Sequence, residues 1–421
     1  MFEHPDSSPY WLSGQINVIF QYHPAFHAAY SGPHSLTAAA DNATSYVITL
    51  FGGLQVTETT EVFLDIEATG GRGLSDALGL AGFSNLDVVR NPDLSHEPYM
   101  ARAMVRQIIP LSDERVPEDR NPLTLATSVP ARRIEIRVGK MGLVDFFDVN
   151  GAGSDSHLQF MNWTVDANGA YDYAADTRGY TYAVLLEYHD RNWAARFGEA
   201  LMPAVANGIN MDWHVEHSRA ENVELEYHHE LLTGRDTIVR PLAYMNHANM
   251  GDYRQAINAF LDGRDPAPDV TAHRAPGRTK YGFGLNVEQQ LSDALRAFGR
   301  LGWNDGQNET FAFTEVDRSA LVGADLRGTS WRRAQDKIGL AVSINGLSSG
   351  HRQYLALGGQ GFLLGDGRLN YNTEQIVETY YTWHVWRGIF AAADLQYIRH
   401  PGYNRDRGPV VVPGFRFYTD F

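Results

Sequence analysis

The chain ends in a stretch that alternates apolar and polar side chains, Val410-Val411-Val412-Pro413-Gly414-Phe415-Arg416-Phe417-Tyr418-Thr419-Asp420-Phe421. One parity carries Val411, Phe415, Phe417 and Phe421, and the other carries Val412, Arg416, Tyr418 and Asp420. Because successive side chains of a β-strand point to opposite faces, this stretch predicts a strand with one apolar and one wet face. A final amphipathic strand that ends in an aromatic residue is typical of outer-membrane β-barrels.

The same alternation recurs along the whole chain. The clearest examples are Gln15–Tyr22, Glu61–Glu67, Arg133–Val138 and Tyr281–Glu288, in which the apolar residues share one face. The further predicted strands are Ser45–Leu54, Tyr99–Ile109, Tyr180–His189, Asn192–Leu201, Val223–Glu230, Thr237–Met245, Leu295–Trp303, Val316–Leu326, Lys337–Ile344, Gln375–Trp386, Ile389–Ile398 and Val410–Phe421. Together these segments predict about sixteen strands, an even number as in bacterial barrels.

Two features favour a transmembrane barrel over a soluble β-sandwich, in which the apolar faces would point inward. The polar faces carry clustered charges of both signs, as a water-filled lumen does. The apolar faces carry aromatic residues near strand ends, at Trp193, Tyr380, Tyr397 and Phe417, which predicts the aromatic girdles of a membrane barrel. The predicted fold is therefore all-β, a closed antiparallel transmembrane β-barrel.

The barrel is expected to form a single domain over residues 1–421, which includes an N-terminal segment, residues 1–12, on the periplasmic side. Long loops are expected near residues 68–98, 110–131, 202–221, 247–278 and 346–373. Three loop segments are predicted to contain short helices because of their apolar spacing and flanking residues, namely Leu74–Phe83, Asp252–Leu261 and Ser348–Leu357.

Composition and charge exclude several classes of protein. The net charge of −15 argues against a nucleic-acid partner, because phosphate binding needs a basic surface. The absence of cysteine excludes disulfide scaffolds, thiol catalysis and cysteine-based zinc sites. No apolar run is long enough for a membrane-spanning helix. Residues 1–10 are polar and lack the apolar segment of a signal peptide. If the protein is exported, we therefore expect this sequence to be its processed or trimmed form.

Several short motifs resemble those of the OprB-type carbohydrate-selective porins of Gram-negative bacteria. In the first half of the chain they are Thr60–Asp65, Gly73–Phe83, Gly139–Asp148, Gln159–Trp163 and Ala175–Tyr180. In the last third they are Gly302–Gly306, Ile344–Ser348, Gly365–Tyr371 and Asn404–Val410. The resemblance runs nearly end to end. It implies an outer-membrane barrel of about sixteen strands with inward-folded loops, and passive, selective passage of small saccharides such as glucose.

Two stretches depart from the pattern of that family. Leu111–Pro130 is more charged and richer in proline, and the loop around His214–His217 is unfamiliar. Because long loops set selectivity, these differences leave the preferred sugar open. The expected partners are small saccharides, outer-membrane lipid and lipopolysaccharide. Many porins are trimers, and the sequence leaves a homotrimer open.

A pore that favours sugars must replace the hydrogen bonds that a neutral, hydroxyl-rich solute makes with water, without binding it tightly. Paired charges of opposite sign offer donors and acceptors with little net field, and aromatic faces can stack on a pyranose ring. The candidate constriction residues are Arg102, Arg106, Arg133, Glu135, Arg137, Asp65, Glu67 and Trp163.

The candidates are chosen by their positions on the predicted strands. Arg102 and Arg106 share one parity, and Arg133–Arg137 places two arginines and Glu135 on one wet face. Asp65 and Glu67 are expected to supply opposing acceptors. The alternative for the charged residues is that they only solvate a wide lumen or brace the wall. Trp163 is interpreted as either a stacking platform or, more in keeping with the pattern, a girdle residue.

No catalytic residue, metal site or cofactor is predicted. In Glu226–Glu230 neighbouring side chains point to opposite faces, so metal ligands would not converge. His23 and His27 have no evident third ligand. Asp65 and Glu67 lie about 7 Å apart on a strand, a separation that an inverting glycosidase could use, but a charged lumen produces such pairs freely.

Two other functions remain open at this point. A soluble all-β carbohydrate-binding protein or hydrolase would hide its apolar faces, and an exporting barrel would pass a polysaccharide outward. The terminal aromatic residue and the strand count favour a membrane barrel over the first of these, and the family resemblance favours import over the second.

Overall fold

The structure, a computed structural model, describes residues 4–87, 94–232 and 234–421, without the side chains of residues 231 and 232. Within this part of the chain, sixteen antiparallel strands form one closed barrel and two short strands form a separate hairpin. The predicted all-β barrel and its strand number are confirmed.

The strands, in chain order, are β1 Tyr10–His23, β2 Asp41–Thr57, β3 Thr60–Gly71, β4 Tyr99–Pro110, β5 Arg115–Pro117, β6 Ser128–Pro130, β7 Arg133–Met141, β8 Thr181–His189, β9 Trp193–Leu201, β10 Arg219–Leu232, β11 Arg235–Gly251, β12 Arg274–Gln290, β13 Leu295–Asn304, β14 Arg318–Gly328, β15 Arg333–Gly346, β16 Glu374–Trp386, β17 Ile389–Arg399 and β18 Val410–Asp420. The helices are α1 Trp163–Asp166, α2 Tyr253–Leu261 and α3 Ser349–Ala356. Short 3-10 turns occur at Leu74–Ala77, Leu143–Asp145, Thr271–His273, Thr329–Trp331 and Pro401–Tyr403. No helix in the described ranges has the length and apolar character needed to cross a membrane.

The first and last strands close the barrel. β1 pairs with β18, with Ile16 opposite Thr419 and Phe20 opposite Phe415. The sheet that forms the barrel therefore has no unpaired edge strand. The side chains of β18 follow the predicted alternation, because Phe415 is 52% exposed on the outside and Arg416 is 1% exposed on the inside. The apolar outer face and polar inner face of the barrel therefore follow directly from the period-two pattern.

The aromatic residues predicted to face outward do so with one exception. Trp193, Tyr397 and Phe417 are exposed on the outer surface. The prediction for Tyr380 was wrong, because this side chain is buried inside the barrel, where its ring lies perpendicular to that of Phe160 with the centroids 4.8 Å apart. Both parities of β16 carry apolar side chains, so the pattern of this strand does not distinguish its two faces.

The two ends of the barrel differ in their connections. At the end that we call the short-turn end, described turns join strands at residues 58–59, 190–192, 291–294, 329–332 and 387–388. At the opposite, long-loop end, the connections include 24–40, 142–180, 202–218, 252–273, 305–317, 347–373 and 400–409 and the described parts of 72–98. One long connection, residues 111–132, lies at the short-turn end. At the N-terminus, β1 begins at Tyr10, inside the segment 1–12 that was predicted to precede the barrel.

Two of the three predicted loop helices are confirmed. The carboxylate of Asp252 caps α2 at the backbone N–H of Gln255, and the hydroxyl of Ser348 caps α3 at the N–H of His351. The predicted helix at Leu74–Phe83 was wrong, since only a 3-10 turn forms at Leu74–Ala77. After this turn, the N–H of Gly79 donates to the carbonyl of Leu363 in another loop over 2.8 Å, and the N–H of Ala81 donates to the carboxylate of Glu374 in β16 over 3.1 Å.

Several long loops fold into the barrel and build an apolar core there. Loop 142–180 crosses the lumen and is attached to distant parts of the wall. In this loop, the carbonyl of Ser156 accepts from Arg416 of β18 over 2.7 Å, and the N–H of Asp148 donates to Glu224 of β10 over 2.7 Å. These bonds fix the loop to two separate parts of the wall, and the loop partly fills the lumen that it crosses.

A buried histidine joins three of the loops at the long-loop end. The Nδ1 atom of His351 in α3 lies 3.2 Å from the carboxylate of Asp317, and its Nε2 atom lies 3.6 Å from Glu315 and 3.2 Å from the hydroxyl of Tyr253 in α2. Burial by itself lowers the pKa of His351, but the charge and hydrogen bonds of Asp317 and Glu315 outweigh it and raise the pKa to about 9. The imidazolium therefore clamps loops 252–273, 305–317 and 347–373 together.

We expect these three loops to separate more readily as the pH rises through about 9. The pKa of His351 in the folded protein is raised above the usual value of about 6.5, so its stabilisation is fully present below about pH 6.5 and is lost as the pH rises through the folded-state pKa. Limited proteolysis of loop 347–373 at increasing pH measures this change. The control variant His351→Gln should show no such step, and unchanged protection of the unmodified loop well above the pKa would contradict the assignment.

Candidate functional site

A cavity of about 420 Å³ lies inside the barrel beside strands β1 to β4. Its wall also includes parts of loops 72–98 and 142–180, Asn207 and Phe313 from two further loops, and residues 121–123 from the short-turn end. The volume lies within the range of about 300–1,000 Å³ that is usual for small-molecule sites. We call this space the first cavity.

Stacked aromatic rings form one side of the first cavity. The rings of Trp163 and Phe313 stack with centroids 4.6 Å apart, and Phe83 meets Trp163 edge-on at 5.5 Å. Tyr173 also stacks on Phe313, with the two ring centroids 5.1 Å apart. The interpretation of Trp163 as a girdle residue was wrong, because α1 holds it inside the lumen at 6% exposure. The parity argument used for strands does not apply to Trp163, since it belongs to a loop helix.

The charged side of the first cavity is centred on Arg102. Its guanidinium lies 3.3 Å from Asp65, the acceptor predicted from the sequence. It also donates two hydrogen bonds, of 2.7 and 2.8 Å, to the carboxylate of Asp145, which the sequence analysis missed. This bidentate pair ties loop 142–180 to β4 and holds the guanidinium in a fixed orientation.

Glu67, the other predicted acceptor, has hydroxyl partners instead of an arginine. Its carboxylate accepts hydrogen bonds from Thr49 and Tyr180, each 3.0 Å long, and a further one from the hydroxyl of Tyr99. The guanidinium of Arg178 covers the ring of Tyr99 at 3.8 Å from its centroid. Carboxylate, phenol and guanidinium groups therefore border the same passage.

A second cavity of about 260 Å³ lies toward the short-turn end. It shares Asn121, Leu123 and Asp145 with the first cavity, so the two cavities adjoin each other. Arg106, Arg133, Glu135 and Arg137 all line the second cavity. The structure thus brings the predicted candidates together in two adjoining spaces: Arg102, Glu67 and Trp163 line the first, with Asp65 buried behind Arg102.

Most charged residues of the second cavity belong to a belt of alternating charges that runs across the inner wall from β3 to β12. Its members are Glu61, Arg106, Arg133, Glu135, Arg137, Glu187, Arg196, Glu226, Arg240 and Glu288. We call this set the charge belt. Neighbouring members are 2.5 to 3.1 Å apart, for example 2.6 Å between Arg137 and Glu187 and 2.8 Å between Arg240 and Glu226. Each charge is compensated by its neighbours, so the belt has a weak net field.

Arg106 is the most enclosed cation of the charge belt. It is 0% exposed and binds Glu135 at 2.7 Å, Glu61 at 3.1 Å and Glu118 at 2.9 Å. This geometry fits the alternative considered in the sequence analysis, in which the charged residues brace the barrel wall. The sequence analysis missed Glu61 and the belt members from Glu187 onward, because the pairing of charges on different strands depends on the strand register. The signal available in the sequence was that these residues share the parity of the other polar, inward-facing residues on their strands.

Two groups of histidine and acidic side chains in the described residues are close enough to consider as metal sites. The first consists of Glu135, Glu187 and His189, whose carboxylates are already bound by arginines of the charge belt. The second consists of Asp212, His214 and His217. The imidazoles of His214 and His217 stack at 5.3 Å with an angle of 11° between their planes, so their in-plane nitrogen lone pairs do not meet at one ion. We assign a metal to neither group.

The closed barrel, its apolar outer surface and its narrowed polar interior define an outer-membrane β-barrel channel of the porin class. A family model described as "Carbohydrate-selective porin, OprB family" matches residues 53–421. The chain belongs to this family. Family and fold indicate a channel rather than an enzyme.

Solved structures support the fold. The high pH structure of Pseudomonas putida OprB has a TM-score of 0.73 at 16% sequence identity, over 98% of this chain and 94% of that chain. The outer membrane channel DcaP of Acinetobacter baumannii has a TM-score of 0.53 at 10% identity, over 98% of this chain and 97% of that chain. No curated protein sequence matches the chain.

Proposed function

We propose that this porin allows small neutral saccharides such as glucose to diffuse passively across the outer membrane. The observation that carries the proposal is the first cavity, where the Trp163–Phe313 stack faces the fixed charges around Arg102. Aromatic rings offer an apolar face to a pyranose, and the charged groups offer donors and acceptors to its hydroxyls. The short-turn end faces the periplasm in this proposal, as short turns do in bacterial barrels.

Charge compensation supports a preference for neutral solutes. The five arginines and five glutamates of the charge belt compensate one another along its length. A solute with a net charge gains little from such a wall, whereas a hydroxyl-rich solute can exchange hydrogen bonds with it along the way. Weak, repeated interactions of this kind favour passage over retention.

The alternative functions have less support. An exporter of polysaccharide needs a wide continuous passage, whereas loop 142–180 crosses the lumen here and partly fills it. For hydrolysis, Asp65 and Glu67 would need contact with substrate and water. Instead Asp65 is bound to Arg102, and Glu67 is bound by Thr49 and two tyrosine hydroxyls.

We expect liposomes that contain the refolded protein to swell faster in glucose than in an amino acid of similar size or a charged sugar acid. The reason is that only the neutral sugar combines a ring face with exchangeable hydroxyls and no net charge. Swelling rates of liposomes with and without the protein measure this preference.

A disaccharide and protein-free liposomes serve as controls in the same assay. Equal rates for all solutes of one size would replace the proposal with a general diffusion pore. No swelling with a correctly inserted barrel would contradict passive diffusion altogether.

A further inference from the structure

The connection between β4 and β7, residues 111–132, differs from the other described turns at the short-turn end, which contain two to four residues. It folds back into the barrel as a hairpin in which β5 pairs with β6, Arg115 lies opposite Pro130 and Pro117 lies opposite Ser128. Its tip is closed by a bridge between Asn121 and Thr124. We call residues 111–132 the inward hairpin.

The charge belt holds the inward hairpin against the wall. The carboxylate of Glu118 binds the guanidinium of Arg106 through two hydrogen bonds of 2.9 and 3.0 Å. On the other arm, the carboxylate of Glu61 accepts from the backbone N–H groups of Leu125 at 3.2 Å and Ala126 at 2.7 Å. Both arms of the hairpin are thus fixed to buried charges of the wall, which gives the tip a defined position.

A second anchor ties the inward hairpin to the start of the chain. The guanidinium of Arg120 donates to the carbonyls of Ser8 at 2.9 Å and Tyr10 at 3.3 Å, and to that of Pro5. It also lies over the ring of Trp11, 5.8 Å from the centroid. Because Arg120 is next to the tip, this anchor opposes movement of the tip along the barrel axis.

The tip lies where the two cavities meet. Asn121 and Leu123 line both cavities, Pro122 lines the first and Thr124 lines the second. Leu123 also packs against the apolar core formed by the inward loops. The tip of the inward hairpin therefore forms part of the boundary between the two cavities.

On the basis of the proposed function, we propose that the inward hairpin is the size-limiting element at the short-turn end of the pore, and that its tip restricts passage to small saccharides. Loops from the opposite end supply the aromatic wall of the first cavity and contribute Asp145 to its charged side. The hairpin supplies the floor, with the side chains of Asn121, Pro122 and Leu123. Selectivity by chemistry and restriction by size are thus provided from opposite ends of the barrel.

A single introduced thiol tests the position of the tip. The chain has no cysteine, so Asn121→Cys gives one site for a bulky maleimide, and Thr127→Cys places the same label on an exposed residue of the hairpin that lines neither cavity. We expect labelling at residue 121 to lower single-channel conductance and glucose-driven swelling, and labelling at residue 127 to change neither. Equal conductance before and after labelling of residue 121, with modification confirmed by mass, would overturn the proposal. Leu123→Cys provides a second tip position if Asn121→Cys does not fold.

A pair of matched glutamate variants tests the anchor. Glu118→Gln weakens the bond to Arg106, whereas Glu114→Gln in the same segment removes only an exposed pair with Arg191. We expect Glu118→Gln to raise the rate of disaccharide swelling relative to glucose, and Glu114→Gln to leave this ratio unchanged. The same ratio in both variants would contradict a size-limiting role.

These tests separate the two proposals. If the unmodified barrel shows no preference for saccharides but labelling at residue 121 still blocks conductance, the proposed function fails and the role of the inward hairpin stands. If the preference is present but the label has no effect, the hairpin proposal fails by itself.

Discussion

Replacing Arg106 with methionine is expected to lower the free energy of unfolding of the barrel by about 3–5 kcal/mol, the usual cost of removing one partner from a buried ion pair. The side chain is fully buried and bound to Glu61, Glu118 and Glu135. Methionine fills similar space but leaves these carboxylates without their shared cation. The large effect therefore comes from uncompensated charge rather than from lost volume.

Reversible urea unfolding in lipid vesicles, followed by tryptophan fluorescence, measures this loss. Arg191→Met is the matched control, because Arg191 forms an exposed pair with Glu114 at the short-turn end, and exposed pairs contribute little in water. We expect the control to unfold at nearly the same urea concentration as the unmodified protein. Similar shifts for both variants would show that the charge belt does not brace the barrel.

Replacing Trp163 with alanine is expected to have the second large effect, a loss of saccharide preference together with a loss of stability of about 3–5 kcal/mol, the usual cost of such a truncation in a core. The indole stacks on Phe313 and meets Phe83 edge-on at the wall of the first cavity. Its removal widens the passage and deletes the central aromatic face. Flux should rise while discrimination between glucose and size-matched controls falls.

The swelling assay and the unfolding measurement together check both parts of this expectation. Trp213→Ala is the matched control, since Trp213 is 65% exposed and contacts Tyr182 at the long-loop end. We expect the control to keep both the swelling ratio and the stability of the unmodified protein. An unchanged glucose preference in a folded Trp163→Ala barrel would show that the aromatic wall does not determine selectivity.

The site was only partly predictable from the sequence. Arg102 and Arg106 were placed on one inner face because parity is a local property of their strand, and in the structure both line the internal cavities. The partners were harder to predict: Asp145 reaches Arg102 from a loop, and Glu118 reaches Arg106 from the inward hairpin. Loop paths are set by contacts between residues far apart in the chain, which parity does not report.

The errors have the same origin. Tyr380 was placed outside because both faces of β16 carry apolar side chains, and only packing against Phe160 distinguishes them. Trp163 was interpreted as a girdle residue because the fold of loop 142–180 was unknown. The helix expected at Leu74–Phe83 is absent, and backbone N–H groups of this segment bind Leu363 and Glu374 from distant parts of the chain. In each case a long-range contact outweighs a local preference.

The sequence by itself determined the class of the fold, since alternation with period two is local and one apolar face per strand is sufficient to specify an outer surface in lipid and an inner surface in water. It also determined the two loop helices that are capped by Asp252 and Ser348, because caps and apolar spacing are local signals. Only the tertiary structure decided which charges meet in the charge belt, how loop 142–180 crosses the lumen and where the tip of the inward hairpin lies. These features depend on strand register and on contacts between distant parts of the chain, which no local pattern contains.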